Sequence, residues 1–214
     1  MKDFLSHYYR RGKPPFRSMS YLPDDEAEHV GLALFKENLK AFRRFGKFPT
    51  YWPRRRRTEQ WVRSEFVKKG GMPVEPYPQC MVLGTSSYIA SLGDDGGYVE
   101  LRIPLSDFDP KEVSFTYSDC MVSMWLFEEQ QNKKYFNPRI HGKVFTLPEI
   151  LEVVKTHGIP ESEWQTDPTK SFDFFVEAQV WSFRPLKKYI EKHNQASDAI
   201  GADATPQHQR WRSA

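Results

Sequence analysis

Apolar positions recur with helical spacing in the first part of the chain, and in short runs or with period two in the second. Residues 22–46, "LPDDEAEHVGLALFKENLKAFRRFG", place Val30, Leu34, Ala41 and Phe45 on one helical stripe. Pro23 suits the first turn of that helix, and Asp24, Asp25 and Glu26 suit its positive end. Arg43 and Arg44 suit the other end, and Gly46 a stop. A second helix is predicted from Arg54 to Lys69, closed by Gly70 and Gly71. Before both, "FLSHYYR" reads as a strand or extended arm, followed by a loop holding Pro14 and Pro15.

After Gly71 the grammar is that of strands. "CMVLG", "YVELRIPL" and "VSFTYSD" are rich in β-branched and aromatic residues, with "SDFDP" as a turn between the last two. "CMVSMWLFEE" is a further predicted strand, and "GDDGG" at 93–97 a predicted hairpin turn. "TLPEILEVVKTHG" is a third helix, with Thr146 and Glu149 in capping-box register and Gly158 at its end. A strand around Glu177 and a short helix from Arg184 to about His193 complete the ordered part. Helices lead, strands follow and one helix intervenes, which predicts an α+β fold with a mainly antiparallel sheet. Residues 1–194 form one predicted domain, and 195–214, polar and aperiodic, a flexible tail.

The strand "FDFFVEAQVW" raises a chemical question. Period two puts Val176, Ala178 and Val180 on a core face, and Phe175, Glu177, Gln179 and Trp181 on the other. A carboxylate among rings must be paired, solvated or used. As a paired residue, Glu177 would look to Arg102 or Arg139.

Composition narrows the alternatives. A chain of 214 residues, 39% hydrophobic and 15% aromatic, fills one domain. The net charge of +3 permits a nucleic-acid or phosphate partner without requiring one. Cys80 and Cys120 read as buried free thiols, too few for a disulfide framework. No run is apolar enough for a signal peptide or a membrane span, so a soluble, cytoplasmic protein without membrane contact is expected. No spacing matches a metal site, a Rossmann fingerprint, a P-loop or a GxSxG elbow.

The run Arg54–Arg57 is the most visible charge feature. At a helix start four cations oppose the dipole, at about 0.3–1 kcal/mol each when exposed. Solvent, the acidic turn of Asp24 to Glu26, or an external polyanion could offset that; for a polyanion, Tyr51, Trp52 and Trp61 could stack on bases beside Lys68 and Lys69. Under this reading the protein is a non-catalytic module that binds nucleic acid; a solvated basic face is the plainer alternative.

Three separated pieces support a different reading: "HYYRR" at 7–11, "VLGTSSY" at 82–88, and Glu177. Their order resembles the ADP-ribosyltransferase superfamily, with Arg or His in a first strand, a Ser-Thr-Ser-like motif at a middle strand and a catalytic Glu on a late one. "VEAQVWSFRPLKKYI" is similar to the end of the DNA-targeting toxin transferases. The middle motif here reads Thr-Ser-Ser, and Gln179 occupies the catalytic place of a Glu-x-Glu pattern, so the single-Glu pattern is the one that fits. The resemblance implies NAD as substrate, Glu177 as the catalytic carboxylate, and His7, Tyr8, Thr85 and Ser86 as dinucleotide-binding residues. ADP-ribose would pass to a nucleic acid or protein. The alternative for Thr85–Ser87 is a helix N-cap leading into "SYIASL".

Overall fold

The computed structural model describes residues 2–39, 42–92 and 98–200. It is an α+β fold. Five strands form one antiparallel sheet: β1 (Phe4–Arg10), β2 (Gln79–Leu83), β3 (Tyr98–Pro104), β4 (Val113–Tyr117) and β5 (Val176–Val180), in the order β3-β1-β2-β5-β4. The helices are α1 (Asp24–Glu37), α2 (Phe48–Lys68), α3 (Ser87–Leu92), α4 (Cys120–Glu129), α5 (Leu147–His157) and α6 (Lys187–Ile200). No helix among the described residues is long and apolar enough to cross a membrane.

Register decides which residues share a face. Leu5 lies opposite Leu83 and Ile103, Met81 opposite Ala178, and Phe115 opposite Ala178. This side is the main core, closed by Ile150 and Val154 of α5 and by Leu186. The other side carries Ser6, Val82, Glu177 and Thr116 in one row. Beneath α2 and α4, Val62, Phe66, Cys120 and Trp181 pack together over it. β5 is therefore central and buried on both faces, and its polar residues need partners. They have them: Trp181 Nε1 donates to Ser114 Oγ (2.9 Å), Ser114 Oγ to Gln179 Oε1 (2.9 Å), and Gln179 Nε2 to Thr116 Oγ1 (2.9 Å).

Several boundaries differ from the sequence expectation. "CMVSMWLFEE" is helix α4, not a strand: Asp119 caps it by accepting from Val122 N at 3.0 Å. A run apolar on every side has no period to separate helix from strand. The expected helix over 22–46 stops at Glu37, where Asn38 turns extended, and Arg43–Lys47 form a separate 3₁₀ turn. Gly31 lies where a Cβ would strike the Phe48 ring (2.8 Å), so this glycine admits the close approach of α2. The second helix begins at Phe48 rather than Arg54, and the last one runs on to Ile200. Ala41, the expected hairpin turn at 93–97 and residues 201–214 of the expected tail lie outside the described residues. Thr146 and Glu149 form the expected capping box, in which Glu149 accepts from Thr146 N (2.8 Å).

Trp181→Phe keeps most of the ring and removes one donor, so a loss of about 1 kcal/mol in urea unfolding is expected. Trp181→Ala should cost about 3–5 kcal/mol. Equal losses for the two would mean that the indole nitrogen, not the ring volume, holds this layer.

Candidate functional site

Glu177 lies opposite Val82 of β2 and Thr116 of β4, two residues into β5. β4 ends at Tyr117, and Ser118 and Asp119 turn the chain into α4, which starts beside the Glu177 side chain. Glu177 Oε2 accepts from Cys120 N at 2.8 Å and from Gln179 Nε2 at 3.0 Å. The first N–H of a helix has no intrahelical partner, and the dipole there favours an anion. The strand carboxylate thus satisfies a helix start, and among the described residues no guanidinium is its partner. Arg102 pairs instead with Glu100 at 2.8 Å.

Asp119 serves the same helix start, so two carboxylates share it. Burial, and next the Glu177 charge, push the Asp119 carboxyl up to about 6; hydrogen bonds from Val122 and Met121 and the charge of Arg44 act the other way. The thiols of Cys80 and Cys120 are driven well up, by burial first and then by the same Glu177 charge. Both are thiols at neutral pH and poor nucleophiles.

The group opens outward in steps. Glu177 is 8% exposed, Asp119 and Tyr88 are half-buried, and Arg43 and Arg44 are exposed. Tyr88, on α3, stacks on Phe174 with ring centroids 4.1 Å apart. Burial raises its phenol, the Asp119 charge adds to that, and Arg44 and Arg43 oppose it. Carboxylates inside, rings beside them and guanidinium groups at the rim make a graded polar site.

The other expected residues divide between the faces of the sheet. His7 points into the apolar face, 7% exposed and stacked on Phe16 at 4.3 Å. Its Nε2 accepts from Phe16 N (2.8 Å), and burial lowers its pKa to about 4. It therefore holds the left-handed turn at Phe16 (φ 58°) and does not face Glu177. Tyr8 is on the Glu177 face, but its hydroxyl donates to Glu100 (3.0 Å) and accepts from Ser86 N (2.9 Å). Ser86, 1% exposed, caps α3 through Ile89 N (3.2 Å). Thr85, in the chain between β2 and α3, is half-buried.

The arginine run does not form an open basic face. Arg54 pairs with Glu129 (3.3 Å), Arg55 with Glu59 (2.9 Å), Arg56 with Asp24 (3.4 Å) and Arg57 with Glu128 (2.7 Å). Trp52 is 4% exposed, donates to Asp24 (2.7 Å) and lies under Arg56, 4.4 Å from its guanidinium carbon. Because α2 begins at Phe48, the run lies inside the helix rather than at its positive end.

Sequence reasoning missed Asp119 as the neighbour of Glu177, and Tyr88 and Arg44 as neighbours of Asp119. The available signal was Asp119 directly before an apolar run, the pattern of a helix N-cap. Among the described residues no group of three or more His, Cys, Asp or Glu is arranged to hold a metal ion. Comparison with protein-family models, curated proteins and solved structures returned no match.

Two outcomes test this geometry. Arg55→Met strands the buried Glu59, whose Oε2 already lacks a partner, and should cost about 3–5 kcal/mol. Arg57→Gln, on the surface, should cost no more than about 1 kcal/mol. The second concerns Asp119, whose folded pKa of about 6 lies above the ordinary 3.8. A raised carboxyl favours folding below the unfolded pKa, and that benefit is lost as pH rises through the folded one. Asp119→Asn keeps the cap, so it should raise unfolding free energy by about 1 kcal/mol at pH 8, after solvent screening, and do nothing near pH 4. A loss of stability at pH 8 would mean that the charge serves the helix more than Glu177 opposes it.

Proposed function

We propose that the Glu177–Asp119 pair is the reaction centre of an ADP-ribosyltransferase-like enzyme that cleaves NAD and passes ADP-ribose to an acceptor in nucleic acid or protein. The observation that carries this reading is the pair itself: a carboxylate fixed by Cys120 N, beside a carboxyl whose pKa is raised to about 6. Carboxyls whose pKa is perturbed by burial and by a like charge concentrate at sites of chemistry.

The chemistry needs few groups. Breaking the bond between ribose C1′ and nicotinamide nitrogen sends the electron pair to neutral nicotinamide and leaves an oxocarbenium-like ribose. The Glu177 carboxylate, held rigid by its hydrogen bonds, stabilises that positive charge. The acceptor forms the new bond to C1′ and gives its proton to Asp119, which at neutral pH is ionised yet basic enough to act as general base. Arg43 and Arg44 suit the pyrophosphate, and Tyr88 the nicotinamide ring. In this assignment His7, Tyr8 and Ser86 shape the sheet and α3, and dinucleotide contact passes to the rim residues. A cytoplasmic setting accords with two unpaired thiols.

A nucleic-acid-binding module built on Arg54–Arg57 is less favoured, because each of those arginines already pairs within the chain and Trp52 is covered.

Nicotinamide release from NAD, with DNA, RNA or protein as acceptor, tests the proposal. Glu177→Gln should lower the rate by about 100-fold or more while NAD still raises Tm as in wild type. Absence of nicotinamide release from wild type with every acceptor, together with no Tm shift by NAD, would overturn it.

A further inference from the structure

A second site lies on the other side of the sheet and stands independently of the proposal above. The segment 134–140 and the segment 169–173 enclose a cavity of about 260 Å³ against Tyr117 and His157. Tyr117 lies opposite Val176, and so projects from the face opposite Glu177. Small-molecule sites commonly run to about 300–1,000 Å³, so this one suits a ligand of mononucleotide size and not a whole dinucleotide.

The walls are aromatic and fixed. Tyr117 donates its hydroxyl to Gly158 O (3.2 Å) and Tyr135 to Gln130 Oε1 (2.8 Å), so both phenols are tied and the rings remain as surface. Burial drives the Tyr117 phenol upward, which keeps that ring neutral. Phe136 adds a third ring. Such walls receive a planar heterocycle.

The polar groups are preorganised by a fully enclosed histidine. His141 Nδ1 accepts from Asn137 N (3.0 Å), so its Nε2 carries the proton and donates to Asp173 Oδ1 (2.9 Å). With both nitrogens engaged, His141 is not a base for chemistry. It ties the two enclosing segments together and fixes Asp173, a hydrogen-bond acceptor on the cavity wall. Lys134 and Lys170 stand at the edge. Their charges act on Asp167, and that of Lys170 on Glu163, yet neither lysine makes an ion pair among the described residues.

We propose that this cavity binds a nucleoside monophosphate whose base carries an exocyclic amino group. The base lies among Tyr117, Tyr135 and Phe136, its amino group donates to Asp173, and the phosphate meets Lys134 and Lys170. Adenine and cytosine offer that donor; uracil does not.

Isothermal titration of the full chain with AMP, UMP and inorganic phosphate tests this. AMP should bind saturably, UMP about tenfold or more weakly, and phosphate alone more weakly still. Lys134→Ala with Lys170→Ala should weaken AMP about tenfold or more. Four results would each overturn the inference: no saturation by AMP, equal affinity for UMP, phosphate binding as tightly as AMP, or AMP affinity indifferent to the lysine substitutions. Failure of NAD turnover leaves this test unaffected.

Discussion

The Glu177 carboxylate rests on the amino end of α4, and much of the surrounding structure is arranged by that contact. It joins the central strand β5 to a helix that follows directly from its neighbour β4. It also ends a hydrogen-bonded row from Trp181 through Ser114 and Gln179, which lets a strand buried on both faces carry polar side chains. Without an anion there, Cys120 N and Gln179 Nε2 would lose their acceptor beneath α2 and α4, at a cost of about 1–3 kcal/mol for each donor left unmet.

The same contact creates an imbalance. One carboxylate suffices for a helix start, and here Asp119 already caps it. Burial and then this second anion raise the Asp119 carboxyl and keep Cys80 and Cys120 protonated, while the charges of Arg43 and Arg44 on Tyr88, and of Arg44 on Asp119, act the other way. Paired arginines and carboxylates elsewhere, such as Arg55 with Glu59, balance their charges locally. At α4 a half-buried carboxyl and a buried one share one helix end, whereas the three carboxylates in the first turn of α1 are exposed. That contrast separates an ion pair kept for the fold from an arrangement suited to chemistry.

The chain makes some of this legible and hides the rest for identifiable reasons. Strand composition and the end signals at Gly158 and Asp24–Glu26 speak for local structure, which neighbours in sequence determine, and the antiparallel α+β architecture follows from them. The chemistry around Glu177 was legible only as an unexplained carboxylate. Its helix was hidden by an apolar run without period, and its partner Asp119 is 58 residues away by numbering. The parity that turns His7 away from Glu177 depends on strand register, which pairing fixes and a motif does not show. The arginine run misleads in the same way. Its partners Asp24, Glu128 and Glu129 come from α1 and α4, so only the folded chain shows the charges matched.

A double-mutant cycle tests most directly whether Glu177 and Asp119 compete for one helix start. Unfolding free energies are measured at pH 8 for wild type, Asp119→Asn, Glu177→Gln and the double variant. The Asn substitution should stabilise more when Glu177 is present than when it is replaced, because burial acts in both backgrounds and the Glu177 charge in one, giving a coupling of about 1 kcal/mol. An equal effect of Asp119→Asn in both backgrounds would show that the two carboxyls do not interact, and would contradict the account.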